Sequence, residues 1–383
     1  MVIRELTETD YPAIQALHQG VGWPQRSLAG WRWLHANPAR RAIGAPAGWV
    51  VDGPDGAPAA HIGNLVQGYR LGDDTLHGAT GFSVIASPAA RGASRSLLKA
   101  FAAQGAVFAT WVFNANPRSQ PLYARHGLTA WPAATQALKL NWPVDRMALA
   151  AGRMLRGLIR IAPGLAAGLG EQLLNDRLGA APRLDLPSGV AVLSDFRDQS
   201  RYADFWDALK GEGRLLADRG PAAIRWRLSD PDLTTPPLIL AFNRGRDITG
   251  YAMAMMAKNN TLEAPVLEIL DLEALAGETN AIPALMDALI GAARVMGAAK
   301  VRIQMVSPRV LDRLGRHAAT ARHEGGWGHC HVRFAPGAPS PDLWSPTPYD
   351  GDFGICLRPI PIPALTRNPF RARGGSLSTA SRA

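Results

Sequence analysis

The sequence predicts an α+β protein in which one unit, a twisted, mixed and mostly antiparallel sheet flanked by helices, occurs twice in tandem. Two observations support this prediction. The first is an internal repeat: Arg32–Pro38 (RWLHANP) returns as Arg225–Pro231 (RWRLSDP), with Arg-Trp, three residues, Asn or Asp, and Pro at the same spacing. The second is the order of elements after each copy, which is a meander of strands, a helix, a strand, a helix and closing strands.

The elements of each unit follow from turn residues and apolar periodicity. The predicted strands lie at 48–51, 59–69, 76–87 and 107–113 in the first unit, and at 238–242, 248–257, 262–272 and 300–306 in the second. Apolar residues at helical spacing predict a helix in each unit, through Leu97, Leu98 and Phe101 and through Ile282, Leu285, Leu289 and Ile290. A further helix is predicted at 119–126 and at 308–317.

These elements divide the chain into two predicted domains, 1–142 and 187–360, with a linker at 143–186 and a basic, disordered tail at 361–383. On a helical wheel, the linker has arginines on one side and apolar residues on the other. The arginines are Arg153, Arg156 and Arg160, and the apolar residues are Met154, Leu155, Leu158, Ile159 and Ile161. Two interpretations stay open: a linker helix packed on one domain, and a basic amphipathic helix on an anionic membrane surface.

The formal charge of +10 favours a polyanionic partner, which is a phosphate-bearing ligand, an anionic membrane or nucleic acid. The arginines are dispersed and no recognition motif accompanies them, so we do not expect nucleic-acid binding. An arginine-rich balance is also typical of a GC-rich genome. The two cysteines form no disulfide framework, and the N-terminal segment lacks the apolar core of a signal peptide. We therefore expect a cytoplasmic protein.

A phosphate-binding turn is predicted where the strand at 76–87 runs into the next helix. Free backbone N–H groups and the positive end of the helix dipole meet there, and small side chains let a pyrophosphate approach the backbone. A solvated, well-capped helix start is the alternative interpretation. The predicted donor-binding residues are Phe82, Val84, Arg91, Gly92, Ala93, Ser94, Arg95 and Ser96.

The turn Arg91–Ser96 (RGASRS), after the fourth strand, resembles the GNAT acyltransferase superfamily. That family places Arg or Gln, two residues, Gly, one residue, and Gly or Ala around the coenzyme A pyrophosphate. Here Arg91 fits the first position, and Ser94 and Ser96 replace the two small residues. The resemblance covers about residues 2–357 and is similar to bacterial tandem-GNAT proteins. It implies an N-acyltransferase with no permanently bound cofactor and with acyl-CoA, or an acylated carrier protein, as donor.

The segment Phe113–Leu128 resembles the fifth strand and following helix of the same family, in which an Asn precedes a helix that bears a Tyr. In the family this Tyr protonates the departing thiolate, which implies catalytic roles for Asn114 and Tyr123. A tyrosine packed in a helix is the alternative. The general base stays open among His61, His77, Asp271 and a water chain.

The second unit is expected to shape the acceptor site rather than to bind the donor. Its equivalent turn, 275–280, has no arginine and contains the acidic Glu278. We therefore expect the acceptor where the two domains face each other. His323, His329, Cys330 and His331 lie close in sequence, but their spacing favours a turn into a strand over a zinc site, so no metal is expected.

The expected activity is acyl transfer to a primary amine. The basic linker and tail favour a lipid-like acceptor and a peripheral position on the inner face of the cytoplasmic membrane. Among tandem-GNAT proteins the chain is similar to bacterial ceramide synthases, which implies a sphingoid-type base. The alternatives are N-acetylation of an amino sugar in surface polysaccharide synthesis and a non-catalytic double-GNAT binding protein.

Overall fold

The computed structural model describes residues 2–174, 183–233, 236–258, 262–324 and 328–356. The predicted basic tail at 361–383 lies outside the described residues. The strands are β1 (Ile3–Glu5), β2 (Gly48–Asp52), β3 (Pro58–Leu71), β4 (Asp74–Ala86), β5 (Ala109–Ala115), β6 (Thr129–Ala130), β7 (Leu140–Pro143), β8 (Val190–Val192), β9 (Leu215–Ala217), β10 (Leu238–Arg244), β11 (Asp247–Ala257), β12 (Val266–Ala274), β13 (Lys300–Ile303), β14 (Arg322–His323) and β15 (His329–Phe334). The helices are α1 (Tyr11–Gly20), α2 (Leu28–His35), α3 (Pro38–Ala42), α4 (Ala93–Ala102), α5 (Gln120–Arg125), α6 (Arg146–Leu158), α7 (Pro163–Leu174), α8 (Arg201–Lys210), α9 (Pro221–Leu228), α10 (Ala281–Val295), α11 (Pro308–Arg313) and α12 (Arg316–Thr320).

These strands form two mixed sheets, as predicted. The first has the order β1-β2-β3-β4-β5-β15-β6, with β9 also paired to β3, and the second has the order β14-β7-β13-β12-β11-β10-β8. Among the described strands, β4 pairs with β5 and β12 with β13 in parallel, while the other neighbours are antiparallel. The meander and the single parallel crossover therefore occur once in each unit.

The two units exchange their closing strands. β7 follows the first unit in sequence but lies between β13 and β14 in the second sheet, and β15 lies between β5 and β6 in the first sheet. The boundary that we predict at 142/143 falls inside β7. Contiguous domains were the expectation, and how far each unit is an independent domain stays a prediction.

Each sheet is covered by the helix that connects its two parallel strands, which is α4 between β4 and β5 and α10 between β12 and β13. Leu97, Leu98 and Phe101 on α4 are buried against the first sheet, and Leu285 and Leu289 on α10 are buried against the second. A third core, which includes Tyr69, Trp111, Tyr251 and Leu270, lies between the two sheets. The predicted helical faces are thus confirmed, and apolar burial holds the two units together.

The repeated Arg-Trp motif forms a contact between its two copies. Trp33 on α2 and Trp226 on α9 stack with ring centroids 4.4 Å apart and planes inclined by 12°. Trp33 Nε1 also donates to the Trp226 carbonyl oxygen at 3.1 Å. Beside them, Arg26 forms a buried salt bridge of 2.8 Å with Asp230 of the second copy. The repeat therefore joins the two units where they meet.

The linker forms the helical hairpin α6–α7, which packs on the second unit. Leu155 and Ala166 are buried with Leu262, Ala264 and Ala299. The outer side of the hairpin combines arginines with exposed apolar side chains, so the two-sided wheel predicted for the linker is only partly correct. The exposed apolar residues are Met147, Met154, Ile159, Ile161, Leu165 and Leu173. Within the described residues, no helix has the length and apolarity needed to cross a membrane.

Candidate functional site

A cleft of about 1180 Å³ opens between the two sheets because β4 and β5 diverge. These parallel strands pair only at Ala79–Thr110 and Thr80–Trp111. Beyond those pairs, the carboxyl ends of both strands line the cleft. The volume exceeds the range of about 300–1,000 Å³ that is typical of a site for one small ligand. Two substrates can therefore meet in it.

A β-bulge shapes the cleft wall on β4. Ser83 and Val84 lie opposite the single residue Ile62 of β3, and Ser83 has a φ of 50°, which is rare for a residue other than glycine. A Cβ at Gly63 would lie 2.4 Å from the Phe82 ring, so glycine is required for this ring to cross β3. The bulge turns Phe82, Ser83 and Val84 toward the cleft, where all three are half-buried.

The predicted phosphate-binding turn lies at one end of the cleft. Gly92 precedes α4 with a φ of 93°, a conformation that glycine adopts without strain. Among the described residues, no side chain caps the start of α4. Arg91 and Arg95 are exposed beside it, and Ser94 lines the cleft. The first N–H groups of α4, the positive end of its dipole and two arginines therefore occur in one short turn, and this combination suits a phosphate.

Tyr123 and Asn114 line the cleft close to the carboxyl end of β5. The Tyr123 side chain on α5 is buried, and its burial raises its pKa to about 12, with a further contribution from the charge of Asp352. The Asn114 side-chain oxygen accepts a hydrogen bond from Lys139 Nζ at 3.4 Å. A phenol with this pKa keeps its proton at neutral pH and can donate it within the cleft.

Asp352 is a cleft residue that the sequence analysis did not assign, although the closing segment Asp350-Gly351-Asp352 belongs to the region of resemblance. It is half-buried, and the loss of hydration raises the pKa of its carboxyl group. The Cys356 thiol donates to Asp352 Oδ2 at 2.9 Å. A thiol is a weak donor, so this carboxylate keeps most of its capacity to accept a proton.

The opposite wall is the charged face of the second sheet. On β7 and β13, apolar side chains such as Trp142 and Val301 point into the core beneath α10, while the alternating polar ones face the cleft. Lys300 Nζ donates to Glu324 at 2.6 Å, and Arg302 NH1 donates to the same carboxylate at 3.3 Å. Basic residues outnumber acidic ones here. This charged wall consists of Lys139, Asn141, Lys300, Arg302, Gln304, Arg322 and Glu324.

No protein-family model matches the sequence, and no curated protein sequence matches it significantly. Solved structures do resemble it. A probable N-acyltransferase from Enterococcus faecalis is 12% identical with a TM-score of 0.50, covering 87% of this chain and 72% of that one. A GCN5-related N-acetyltransferase from Anabaena variabilis is 13% identical with a TM-score of 0.51 and the same coverage. An N-myristoyltransferase from Saccharomyces cerevisiae, solved with myristoyl-CoA, is 9% identical with a TM-score of 0.50, covering 93% and 85%.

The chain has a GNAT fold. At these identities the similarity establishes the fold and not the activity. Of the predicted site residues, those at the diverging strands and at the start of α4 come together in this GNAT fold. Phe82, Val84, Ser94, Asn114 and Tyr123 line the cleft, and Arg91, Gly92, Ala93, Arg95 and Ser96 adjoin Ser94.

Two predicted catalytic residues lie elsewhere in the GNAT fold. His77 is in the first half of β4, where its carbonyl oxygen accepts from the Phe108 N–H at 2.8 Å. Asp271 is fully buried on β12, where Arg219 Nε donates to it at 2.7 Å and Thr347 Oγ1 at 2.7 Å. Neither is one of the described residues that line the cleft. Asp271 belongs to a buried ion network and has no access to a substrate amine.

His61 does border the cleft beneath the bulge. Its Nδ1 lies 3.2 Å from the Ser83 carbonyl oxygen, and burial lowers its pKa to about 3, with a contribution from His18. Such a weakly basic imidazole is a poor proton acceptor at neutral pH. The geometry therefore favours Asp352 over the three bases that the sequence suggested.

The corresponding turn of the second unit is closed by Arg313. Its guanidinium donates to the carbonyl oxygens of Ala274, Leu275 and Glu278 at 2.6 to 2.9 Å. The turn thus presents carbonyl groups to a cation, and an anion would meet the wrong end of these dipoles. Among the described residues, no group of three potential ligands could hold a metal ion.

Proposed function

We propose that this protein is an N-acyltransferase that moves an acyl group from acyl-CoA to a primary amine by direct attack. The observation that carries the proposal is that Tyr123 and Asp352 line the same cleft, where β4 and β5 diverge next to an open helix start. A proton donor for a leaving thiolate and a proton acceptor for an attacking amine are the two groups that this reaction needs. The GNAT fold of the acyl- and acetyltransferases described above supports the same reaction class.

The residues around the start of α4 fit the donor. Arg91, Arg95 and the N–H groups after Gly92 would hold the pyrophosphate, and Ser94 would face the ligand from within the cleft. Phe82 and Val84 on the bulge would lie along the pantetheine arm. We keep an acylated carrier protein, which has the same arm, as the alternative donor.

In the proposed step, the amine nitrogen attacks the thioester carbonyl carbon and the C–S bond breaks. The sulfur leaves as a thiolate and takes a proton from the Tyr123 hydroxyl. Asp352 accepts a proton that the nitrogen loses as it forms the amide. Both residues recover their starting states by proton exchange with solvent. Asn114 would position the reacting groups through its amide, next to Lys139.

For the acceptor, we propose a long-chain, sphingoid-type base, which would give a ceramide-like lipid. The hairpin α6–α7 supports this proposal, since α6 lines the cleft through Leu149 and Gly152 and exposes Met147 and Met154 outward. The exposed arginines of the same hairpin would attract anionic lipids. The protein would then act as a peripheral protein on the inner face of the cytoplasmic membrane.

The charged wall favours a second candidate, N-acetylation of an amino sugar. Lys300, Arg302 and Glu324 offer charged hydrogen-bonding groups that suit a hydroxylated, polar acceptor better than an alkyl chain. This candidate predicts a short acyl donor and no affinity for lipid vesicles. The third candidate, a double GNAT that binds a ligand without catalysis, predicts donor binding but no turnover.

The test is a thermal-unfolding series with coenzyme A, acetyl-CoA and palmitoyl-CoA, combined with an assay for amide formation. We expect stabilisation that is strongest with palmitoyl-CoA and is lost in the Arg91→Ala, Arg95→Ala variant. The matched control is Arg41→Ala, Arg246→Ala, which removes two exposed arginines that lie on α3 and between β10 and β11, outside the turn before α4. Strongest stabilisation by acetyl-CoA would favour the amino sugar, binding without turnover would favour the binding protein, and no stabilisation would contradict acyl-CoA as donor.

A further inference from the structure

Four side chains on the first-unit wall of the cleft carry polar atoms that have no partner. We call Gln15 and His18 of α1, Trp31 of α2 and His61 of β3 the α1–α2 cluster. Gln15, Trp31 and His61 are 8%, 5% and 1% exposed, so more than nine-tenths of each is buried. The rings of His18 and Trp31 lie 6.4 and 6.5 Å from that of His61, which makes this one contiguous surface.

Five buried atoms of the cluster lack a hydrogen bond to any described residue. They are both side-chain polar atoms of Gln15, Nε2 of His18, Nε1 of Trp31 and Nε2 of His61. Buried polar groups without a partner destabilise a fold, and native proteins contain few of them. Five in one cleft wall indicate that the partner is a ligand.

The chemistry of that ligand follows from which atoms donate and which accept. His18 Nδ1 and His61 Nδ1 lie 3.4 and 3.2 Å from carbonyl oxygens, which can only accept, so each Nδ1 carries the proton and each Nε2 is an acceptor. Trp31 Nε1 donates, and the Gln15 amide does both. A surface that mixes donors and acceptors complements hydroxyl groups, which also do both.

The α1–α2 cluster is uncharged and so does not itself suit an ammonium group. Burial lowers the pKa of His18 and of His61, which keeps both imidazoles neutral, and none of the four members is a carboxylate. The segment that ends in Ile355 and Cys356 supplies the cleft carboxylate Asp352. Arg26 joins the two regions, since its NH2 donates to the Ile355 carbonyl oxygen at 2.6 Å and its charge acts on His18.

We propose that the α1–α2 cluster is the acceptor subsite and that it selects an amino alcohol, a primary amine with hydroxyl groups on neighbouring carbons. The amine would lie toward Asp352 and the hydroxyl groups would pair with Gln15, Trp31 and His61. This inference rests on the proposed acyl transfer and adds the acceptor class to it. Both a long-chain amino diol and an amino sugar have this chemistry.

Two matched pairs of acceptors test the proposal, each assayed with acetyl-CoA and palmitoyl-CoA. The first pair is a long-chain 2-amino-1,3-diol and a 1-aminoalkane of the same length, and the second is a hexosamine and cyclohexylamine. We expect the hydroxylated member of one pair to be preferred by at least about tenfold in kcat/KM. The pair that shows this preference identifies the acceptor as a long-chain amino diol or as an amino sugar. Equal use of the hydroxyl-free amines in both pairs would overturn the subsite.

Two substitutions in the α1–α2 cluster test whether it causes the preference for hydroxylated amines. Gln15→Met and Trp31→Phe keep the size of the side chain and remove its unpaired atoms, so each should reduce the preference by about tenfold and raise the melting temperature. The matched control is Thr110→Val, which removes an unpartnered buried hydroxyl outside the cleft lining and should leave the preference unchanged. A preference that survives both cluster variants would also overturn the proposal.

Failure of the proposed function is distinguishable from failure of this inference. If no donor and amine react, the acyl transfer is wrong, and thermal stabilisation by 2-amino-1,3-propanediol relative to propylamine still decides the subsite. Stabilisation by the diol that is lost in Gln15→Met supports the subsite. Equal stabilisation by both amines overturns it.

Discussion

The side chains of Tyr123 and Asp352 respond to the same environment with opposite consequences. Burial raises the pKa of both groups. In the proposed reaction, this would secure on the phenol the proton that the thiolate needs, and it would increase the affinity of the carboxylate for the proton that the amine gives up. Two groups with different roles can therefore share one partly dehydrated cleft.

Tyr123→Phe should lower kcat by about 100-fold or more, because the departing thiolate loses its proton donor while the ring still fills its place. Stabilisation by acyl-CoA should stay the same. Single-turnover kinetics and thermal shifts measure the two quantities. Tyr202→Phe, at a buried tyrosine whose hydroxyl donates to the Arg219 carbonyl oxygen, is the control with unchanged kcat. An unchanged kcat in Tyr123→Phe would remove this residue from the mechanism.

Asp352→Asn should abolish the acidic limb of the pH–rate profile. In the wild type, kcat/KM should fall as the pH falls through the raised pKa of this carboxyl group, since only the carboxylate accepts a proton. The folded protein favours the protonated form, so the stability that this group contributes is present at low pH and is lost as the pH rises. As the pH rises from 4 to 8, the free energy of unfolding of the variant should therefore increase relative to that of the wild type. A pH-independent difference in the free energy of unfolding would contradict the raised pKa.

Some individual residues of the candidate site could be predicted from the sequence. Gly92 and Arg91 are recognisable because a local motif of six residues holds them, and Tyr123 because it follows a strand and an Asn at short range. Asp352 reaches the cleft through a tertiary contact from the far end of the chain. His77 and Asp271 were plausible by residue type, but only the fold reveals that Arg219 already neutralises Asp271.

The outer surface of the hairpin α6–α7 exposes large apolar side chains beside arginines. Met154 and Ile161 are 76% and 85% exposed, next to Arg153 and Arg160. We expect Met154→Glu, Ile161→Glu to reduce binding to phosphatidylglycerol vesicles by at least about tenfold, since it removes apolar area and adds two negative charges that the anionic lipid repels. Co-sedimentation at two salt concentrations measures the effect.

The control for this experiment is Val192→Glu, because Val192 is an exposed residue on β8, at the opposite edge of the second sheet from β14 and β7. It should bind vesicles like the wild type. Equal binding by all three proteins would exclude the hairpin as a membrane contact and leave the amino sugar as the stronger acceptor candidate.

The elements were predictable where their pattern is long. β3, β4 and β11 have 11 to 14 residues between turn signals, and the repeat set their order. β6 and β14 have two residues each, too few for any periodicity. The position of β7 between β13 and β14 depends on long-range pairing, which no local pattern in the sequence reveals.

At the scale of the whole molecule, a buried ion network holds the sheets together with the closing segment. Arg219 contacts Asp271 at 2.7 Å and Asp350 at 3.3 Å, and all three are at most 1% exposed. Burial alone would lower the pKa of Arg219, but these carboxylates raise it well above its usual value. Arg219→Met leaves two buried carboxylates unpaired and should reduce the free energy of unfolding by about 3–5 kcal/mol.

Urea denaturation measures this loss, with Arg197→Met as the control. Arg197 makes an exposed ion pair with Asp195, and removing a pair of that kind should leave the urea midpoint unchanged. A urea midpoint for Arg219→Met within error of the wild type would mean that the buried ion network does not stabilise the folded protein.

The exchange of β7 and β15 makes the two halves of the chain mutually dependent. A fragment ending within residues 175–182 would carry a strand that belongs to its complement, and the complement would carry the strand that completes the first sheet. Neither could close its own sheet, whereas the two together could form an obligate heterodimer with stability that depends on concentration. Co-expression of the two halves should restore acyl transfer, and either half alone should not. Neither half can be lost without leaving the sheet of the other incomplete. This dependence gives a reason for the second unit to persist even though the proposed donor site lies in the first.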